Sequence, residues 1–273
     1  MWRGVLLPVP LPVLLLLVAG WPAAADERLF FAPLDGGHTV SGSLSLPAAA
    51  GKVPAVVVVH GTGGIDSRGA YYIGPLNRAG IATFEVDFKT GVFNSARDRP
   101  PNDTFLPMAF AALKLLRDNP AIDGERIGIM GFSLGGHLTL GTLLTANRQH
   151  WLGAAKGFAA HAAFYPSCRY FLAKPGLDAI EPAPLMVFYG LKDSYGDGQA
   201  CPALRERLSR TMTPPPTFIA YPEAGHGFDR TGPPVTAYDP AADGHQAVLE
   251  WNGDAAEDAR ARVVAFFTAT LAQ

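Results

Sequence analysis

Cysteine is scarce in this 273-residue sequence and basic charge is not in excess, and both features exclude classes of function. The chain has two cysteines, neither in a C-x-x-C spacing, so a thioredoxin-like or cysteine-based metal site has no support. The 22 basic residues do not outnumber the 24 acidic ones, and a chain without basic excess is not predicted to bind nucleic acid. No internal repeat or low-complexity tract interrupts the sequence. The remaining composition, 48% hydrophobic, predicts one globular domain that acts on a small-molecule substrate.

The N-terminal segment has the features of a secretory signal peptide. Arg3 precedes an apolar run over residues 5–19, and small residues end the segment at Ala25. The run contains three prolines and is short for a spanning helix, so an uncleaved membrane anchor is the less favoured alternative. We predict a signal peptide over 1–25, a single domain over 26–273, and an exported, periplasmic or secreted product without a stable membrane anchor.

Short β-branched runs alternate with segments of helical spacing, which predicts a mostly parallel sheet with helices on both faces. The clearest strand is Val53–Val59, whose four consecutive valines indicate burial on both sides. Val40–Leu46 alternates apolar and polar residues and predicts an antiparallel edge strand. Helices are predicted over Leu106–Arg117 and Ala255–Leu271. Further strands are predicted over residues 81–86, 126–130, 157–165, 185–189 and 217–221.

Two segments, Lys89–Asp103 and Asp229–His245, are predicted to be irregular loops. Both follow predicted strands, so both are expected at the carboxyl edge of the sheet, where ligands bind in this architecture.

The pentapeptide Gly131-Phe132-Ser133-Leu134-Gly135 fits the pattern G-x-S-x-G. A strand is predicted before it and a helix after it, which is the context of a nucleophile on a sharp strand-to-helix turn in the α/β-hydrolase fold. Glycines on both sides avoid clashes with the adjoining strand and helix. The turn leaves the amide of Leu134, at a helix N-terminus, free to donate to an oxyanion.

A serine hydroxyl needs a base and an orienting carboxylate, which follow in the order serine, acid, histidine in this fold. Of the two late histidines, His226 directly follows the last predicted strand, whereas His245 lies in a polar stretch and is expected to face solvent. Asp193 follows the preceding strand and is the predicted acid. Asp197 is the alternative, but its position suits the cap of a helix beginning near Gln199 better.

The turn after the valine-rich strand, His60-Gly61-Thr62-Gly63-Gly64, is similar to the oxyanion loop of lipases and esterases. The second oxyanion donor is predicted to be the amide of Thr62, and His60 is interpreted as a structural hydrogen-bonding residue. The other histidines lack a second ligand at useful spacing, so no metal and no cofactor is predicted.

Nearly the whole mature sequence resembles the dienelactone hydrolase family of the α/β-hydrolases. The resemblance implies that His226 is the base, that Asp193 is the acid, and that Arg230 contacts a substrate carboxylate. Three stretches carry it, at residues 126–136, 189–193 and 221–230.

Two positions depart from the founding members of that family. They use cysteine where this chain has Ser133, and they carry a glutamate where this chain has His60. In those members the glutamate helps to activate the thiol, so its absence is consistent with a serine nucleophile. The dienelactone substrate of the founding members is therefore not implied for this chain.

Export would permit a disulfide between Cys168 and Cys201, although two separate buried thiols are the alternative. Similar exported relatives carry a Tyr-Pro-x-Cys stretch, present here at residues 165–168, and a second cysteine soon after the acid. The resemblance therefore implies that these two cysteines are paired.

Together these features predict a serine hydrolase that cleaves a carboxylic ester or lactone through an acyl-enzyme. A peptidase or amidase on the same triad is an alternative, although such relatives need a propeller or large lid for which this chain has no room. A non-catalytic binding protein on the same fold is the third hypothesis, and it is disfavoured because no triad residue is missing. The sequence does not reveal the oligomeric state.

Overall fold

The computed structural model describes residues 25–272, which form a mixed eight-stranded sheet with helices on both faces. The predicted signal peptide lies outside this range except for Ala25. The strand order is β1-β2-β4-β3-β5-β6-β7-β8; β2 is antiparallel to both of its neighbours, and all pairs from β4 to β8 are parallel. This architecture confirms the predicted α/β-hydrolase fold. The strands are β1 (Ala25–Phe31), β2 (Val40–Leu46), β3 (Val53–Val59), β4 (Ala82–Asp87), β5 (Ile122–Phe132), β6 (His161–Phe164), β7 (Leu185–Gly190) and β8 (Thr217–Tyr221).

The prediction that Val40–Leu46 is an edge strand is wrong. The segment is antiparallel, as its pattern predicts, but β1 covers it along its whole length, from Ala25 opposite Leu46 to Phe31 opposite Val40. Strand β1, and not β2, is the edge strand on this side of the sheet. It was not predicted because three consecutive charged residues, Asp26 to Arg28, follow its first residue and it lacks a clear alternation.

Helices cover both faces of the sheet, and β3 is buried between them, as its valines predict. Val57 and Val59 pack into a core with the helix over 106–117, whereas Val56 and Val58 face a core with the first and last helices. The helices are α1 (Ser67–Arg78), α2 (Leu106–Arg117), α3 (Leu134–Thr142), α4 (Thr145–Leu152), α5 (Cys168–Leu172), α6 (Cys201–Ser209) and α7 (Gly253–Leu271).

Helix α7 begins two residues before the predicted start because the side chain of Asn252 caps it, accepting a hydrogen bond from the Ala255 amide at 3.1 Å. Its predicted apolar stripe is confirmed: Val263, Phe267 and Leu271 are buried, and the half-buried Phe266 packs against the same core. No helix within residues 25–272 has the length and apolar character needed to cross a bilayer.

One of the two predicted loops is structured. Residues 89–101 are irregular and lead into a 3₁₀ turn, Asn102–Phe105, whereas residues 229–245 contain a strand, β9 (Val235–Tyr238). That strand pairs antiparallel with β10 (Gln246–Leu249) in a hairpin, here called the β9–β10 hairpin. The prediction of an irregular loop over Asp229–His245 is therefore wrong. Ser194 holds the hairpin against the end of the sheet: its carbonyl accepts from the Asp243 amide at 2.8 Å, and its hydroxyl accepts from the Val248 amide at 3.1 Å.

Candidate active site

Ser133 lies on a sharp turn between β5 and α3 with a φ of 55° and a ψ of −112°, a conformation that side-chain-bearing residues rarely adopt. The neighbouring glycines make this turn possible. A Cβ atom at Gly131 would lie 2.2 Å from the Gly135 carbonyl oxygen, and one at Gly135 would lie 2.1 Å from the Val59 carbonyl oxygen. The serine hydroxyl is thereby held above the carboxyl edge of the sheet.

A chain of hydrogen bonds joins Ser133 to His226 and Asp193. The Nε2 atom of His226 lies 2.8 Å from the Ser133 hydroxyl, and its Nδ1 atom lies 2.8 Å from Oδ2 of Asp193. The other carboxylate oxygen of Asp193 accepts a hydrogen bond from the Tyr195 amide at 2.8 Å. The imidazole and the carboxylate are both buried, so solvent does not compete for the contact between them. The predicted alternative His245 is exposed and lies outside this chain of hydrogen bonds.

The turn after β7, residues 191–197 (the acid turn), and the loop after β8, residues 222–230 (the histidine loop), come together because Gly190, at the end of β7, has no side chain. A Cβ atom at this position would lie 2.2 Å from the carbonyl oxygen of Ala224. The Lys192 amide donates to the same carbonyl at 3.0 Å, and the Leu191 amide donates to the Tyr221 carbonyl at 3.0 Å. The loops after β7 and β8 are thus held side by side. This places the Asp193 carboxylate next to the His226 imidazole.

The two predicted oxyanion donors flank the serine. Leu134 is the first residue of α3, where a backbone amide has no acceptor within the helix. Thr62 follows β3 and borders the space above the Ser133 hydroxyl. His60 supports this loop as a structural residue: its Nδ1 donates to the Gly61 carbonyl at 2.7 Å, and its Nε2 accepts from the Phe88 amide at 3.2 Å.

Two tyrosines that the sequence reasoning missed contact the imidazole. The rings of Tyr165 and Tyr195 lie 4.7 and 4.4 Å from the His226 ring. The Tyr195 hydroxyl donates to Oδ2 of Asp239 at 2.9 Å, and burial, followed by the charge of Asp239, raises the pKa of Tyr195. In the sequence, the one indication that Tyr195 lies at the site is its position two residues after Asp193. Tyr165 has a positive φ of 36°, which cannot be read from the sequence.

A fully buried carboxylate, Asp229, lies beneath the histidine loop and was also missed. It accepts hydrogen bonds from the hydroxyls of Tyr165 at 2.6 Å and Tyr72 at 2.8 Å. Burial raises the pKa of Asp229. The residue follows His226 by three positions, inside the stretch that carries the family resemblance, and this proximity could have indicated a role in the histidine loop.

The predicted disulfide between Cys168 and Cys201 is present and joins the start of α5 to the start of α6. Asp197 reinforces this junction, because its Oδ1 accepts from the Arg169 amide in the first turn of α5 at 2.9 Å. The expectation that Asp197 caps a helix near Gln199 is therefore wrong, since it caps α5 from a distant part of the chain. Burial raises the pKa of Asp197 to about 6.

Two cavities meet above the Ser133 hydroxyl. The first has a volume of about 550 Å³ and lies between the 89–103 loop, α5 and the acid turn. The second has a volume of about 450 Å³ and lies between the oxyanion loop, the 89–103 loop and the β9–β10 hairpin. Residues of both segments, 89–103 and 229–245, therefore line the site, as their predicted place at the carboxyl edge of the sheet indicates, although the second forms a hairpin.

Arginines border both cavities. Arg99 borders the first cavity, and its side chain donates to Oδ1 of the Asn102 side chain. Arg230 borders the second cavity, where it donates to the Pro233 carbonyl at 3.0 Å and lies 3.9 Å from Asp66. Arg97 stacks on the ring of Tyr238 at 4.3 Å and so links the 89–103 loop to the hairpin. The titratable residues between 25 and 272 include no cluster of histidine, cysteine and carboxylate side chains that could hold a metal ion.

Comparison with known families gives a match to the model of the dienelactone hydrolase family over residues 40–271. A Yersinia pestis protein described as a carboxymethylenebutenolidase is 31% identical over 137 residues, which is 47% of each chain. The match thus spans about half the length of that relative.

Solved structures share the fold at low sequence identity. A dienelactone hydrolase-like promiscuous phosphotriesterase from metagenomic libraries superimposes with a TM-score of 0.68 at 19% identity, covering 90% of this chain and 99% of its own. Esterase 2 of Thermogutta terrifontis, with propionate bound, gives a TM-score of 0.64 at 16% identity, covering 91% and 94%. A Klebsiella pneumoniae protein described as a dienelactone hydrolase gives 0.62 at 19% identity, covering 89% and 98%.

Proposed function

The chain belongs to the dienelactone hydrolase family, and on that premise we propose that it is a serine hydrolase that cleaves a carboxylic ester or lactone of a small substrate. The observation that carries the proposal is the hydrogen-bond chain from Ser133 through His226 to Asp193, with 2.8 Å at each link. A serine on a strained turn, a base within proton-transfer distance and a buried acid behind it are the parts that acyl transfer requires.

In the proposed mechanism the Ser133 hydroxyl attacks the ester carbonyl carbon while Nε2 of His226 takes its proton. Asp193 orients the ring and stabilises the imidazolium that forms. The amides of Thr62 and Leu134 donate to the carbonyl oxygen as it gains negative charge. His226 then protonates the departing alcohol oxygen, and water, deprotonated by the same imidazole, hydrolyses the acyl-enzyme and restores the serine.

Arg230 is proposed to contact an acidic group of the substrate in the second cavity. Its place on the cavity wall supports this role, and its 3.9 Å distance to Asp66 leaves it incompletely paired. Arg230→Ala is expected to raise KM for an ester that carries a carboxylate and to leave KM for the neutral ester unchanged.

An active-site fluorophosphonate tests the proposal directly. The probe is expected to label the wild-type protein at Ser133, and Ser133→Ala is expected to lose both the labelling and the hydrolysis of p-nitrophenyl esters. Ser209→Ala is the matched control, because this exposed serine of α6 bonds only its own helix through the Arg205 carbonyl. A protein that takes up no probe and hydrolyses none of a panel of esters, lactones and aminoacyl amides would be a binding protein instead, and preference for the amides would indicate the amidase alternative.

We further propose that residues 1–25 direct export and are removed. The disulfide between Cys168 and Cys201 supports this, because such bonds persist in oxidising compartments. N-terminal sequencing of the exported protein is expected to begin at Asp26, and a start at Met1 would contradict the proposal.

A further inference from the structure

The two cavities share five lining residues, which are Thr62, Ser133, Tyr195, His226 and Asp239. Three of these are the nucleophile, the base and an oxyanion donor, and they form the common floor. The other two, Tyr195 and Asp239, are hydrogen-bonded to each other at 2.9 Å. This bonded pair borders both cavities beside the floor and is here called the wall.

This wall is fixed at both ends. The backbone amide of Tyr195 is bonded to Asp193, and its ring packs on His226 at 4.4 Å. Asp239 is 5% exposed, and its second carboxylate oxygen accepts from the Ala241 amide at 2.9 Å, within the connection of the β9–β10 hairpin. The pair therefore joins the acid turn to the hairpin directly above the reacting serine.

We propose that the Tyr195–Asp239 pair selects open-chain esters, with the acyl part in one cavity and the alcohol part in the other, over small-ring lactones. This inference rests on the proposed function. In an open-chain ester the acyl carbon chain and the alcohol carbon chain are trans about the single bond between the carbonyl carbon and the ester oxygen. The two chains therefore extend away from each other. In a small-ring lactone the ring holds them cis, so both must enter the same cavity and the ring meets the wall.

The size of the cavities supports a substrate with a sizeable group on each side of the ester bond. Volumes of about 550 and 450 Å³ each lie within the range of roughly 300–1,000 Å³ that is usual for small-molecule sites. Each cavity is therefore large enough for one half of a small ester.

A matched pair of substrates tests the selection. 2-Methylphenyl acetate and 3,4-dihydrocoumarin have the same heavy atoms and both release a phenol, and the lactone differs by the bond that joins the two methyl carbons. The kcat/KM value for each is divided by its rate constant for hydrolysis by hydroxide, which removes the difference in intrinsic reactivity. The wild-type protein is expected to prefer the open-chain ester on this scale.

Variants of the wall are expected to change that preference in a defined order. Tyr195→Ala removes the wall and leaves the amide that bonds Asp193, so the ester-to-lactone ratio is expected to fall about tenfold. Tyr195→Phe and Asp239→Ala lose the hydrogen bond but keep the aromatic ring, so a smaller fall is expected. Asp239→Asn can keep both contacts, because its oxygen accepts from the Ala241 amide and its NH2 group donates to the tyrosine hydroxyl oxygen, so its ratio is expected to stay near that of the wild type.

Tyr71→Phe is the matched control for Tyr195→Phe. Its hydroxyl also donates to a carboxylate, Glu257, at 2.7 Å, but Tyr71 lies on α1 and borders neither of the two cavities. A general loss of stability would lower both rates together and leave the ratio unchanged. A change in the ester-to-lactone ratio therefore reports the Tyr195–Asp239 pair and not a loss of stability.

Fluorophosphonate labelling of each variant separates the two proposals. If the wild-type protein is not labelled and hydrolyses neither substrate, the proposed function fails. If Ser133 is labelled but the lactone is hydrolysed as well as the open-chain ester, or the ratio in folded Tyr195→Ala equals that of the wild type, the selection by this pair is overturned and the hydrolase remains.

Discussion

At the scale of single residues, Asp193 and Asp197 are only four positions apart but accept hydrogen bonds from different groups. Asp193 accepts from the imidazole, whereas Asp197 accepts from a backbone amide of α5. Asp193→Asn is expected to lower kcat by about 10⁴-fold, because an amide does not stabilise the imidazolium and favours the wrong tautomer. Asp197→Asn keeps an oxygen for the Arg169 amide and is expected to change kcat less than tenfold. Steady-state kinetics with p-nitrophenyl acetate separates the two, and a larger loss in Asp197→Asn would show that the acid is misassigned.

His161, at the start of β6, makes the protein sensitive to acid. Neither of its ring nitrogens has a hydrogen-bond partner in the described part of the chain, and burial lowers its pKa to about 3. Below pH 6.5 the unfolded chain binds a proton at this residue that the folded protein does not, so this residue reduces stability by about 1.4 kcal/mol for each pH unit down to about 3. His161→Leu is expected to remove this loss. Urea denaturation at pH 7.5 and 5.0 measures it, and exposed His38→Leu, the control, is expected to keep the wild-type difference between the two pH values.

The positions of the three predicted catalytic side chains follow from local sequence, whereas those of the residues around them do not. Ser133, Asp193 and His226 each follow a strand that composition identifies, and the order of the three along the chain restricts the choice. Tyr195 and Asp239 are 44 residues apart, and no local pattern indicates that they are bonded. Their contact depends on how the hairpin packs against the acid turn, which is a property of the folded chain.

At the scale of elements, the disulfide covalently links α5, which borders the first cavity, to α6, which follows the acid turn. It closes a segment of 33 residues, for which the chain-entropy estimate of stabilisation is about 3 to 4 kcal/mol. Reduction with dithiothreitol is expected to lower the melting temperature of the wild-type protein. The double variant Cys168→Ala, Cys201→Ala is expected to melt at the lower temperature with or without reductant, and a reductant-dependent shift in that variant would contradict the assignment.

Several elements with a strong hydrophobic pattern have the predicted ends, whereas the strand predicted over residues 157–165 is shorter, because β6 is only His161–Phe164. Elements stabilised by pairing are not predicted. β3, β8 and α2 match their predicted ranges because apolar runs and turn residues delimit them. β1 and the β9–β10 hairpin have mostly exposed side chains and gain their structure from partner strands. Pairing of this kind is a long-range property, so sequence periodicity carries little information about it.

At the scale of the whole molecule, Asp229 connects parts of the chain that lie on different sides of the site. It accepts from Tyr72 on α1 and from Tyr165 after β6, and it belongs to the loop that carries His226. The amide of Asn252, which caps α7, donates to the adjacent Phe228 carbonyl at 2.8 Å. The position of the His226 imidazole thus depends on two helices of one face and on the end of the sheet.

Substitution of this carboxylate is therefore expected to affect stability and activity together. Asp229→Ala leaves two buried hydroxyls without an acceptor, at about 1 to 3 kcal/mol each, and it frees Tyr165, whose ring packs on His226 at 4.7 Å. Tyr72→Phe removes one donor and keeps the Tyr165 contact, so it is expected to lower stability while kcat/KM stays within about twofold of the wild type, since the site is unchanged. Urea denaturation and ester kinetics on the same preparations measure both quantities. A folded Asp229→Ala protein with wild-type kcat/KM would show that the carboxylate holds the fold together without positioning the imidazole.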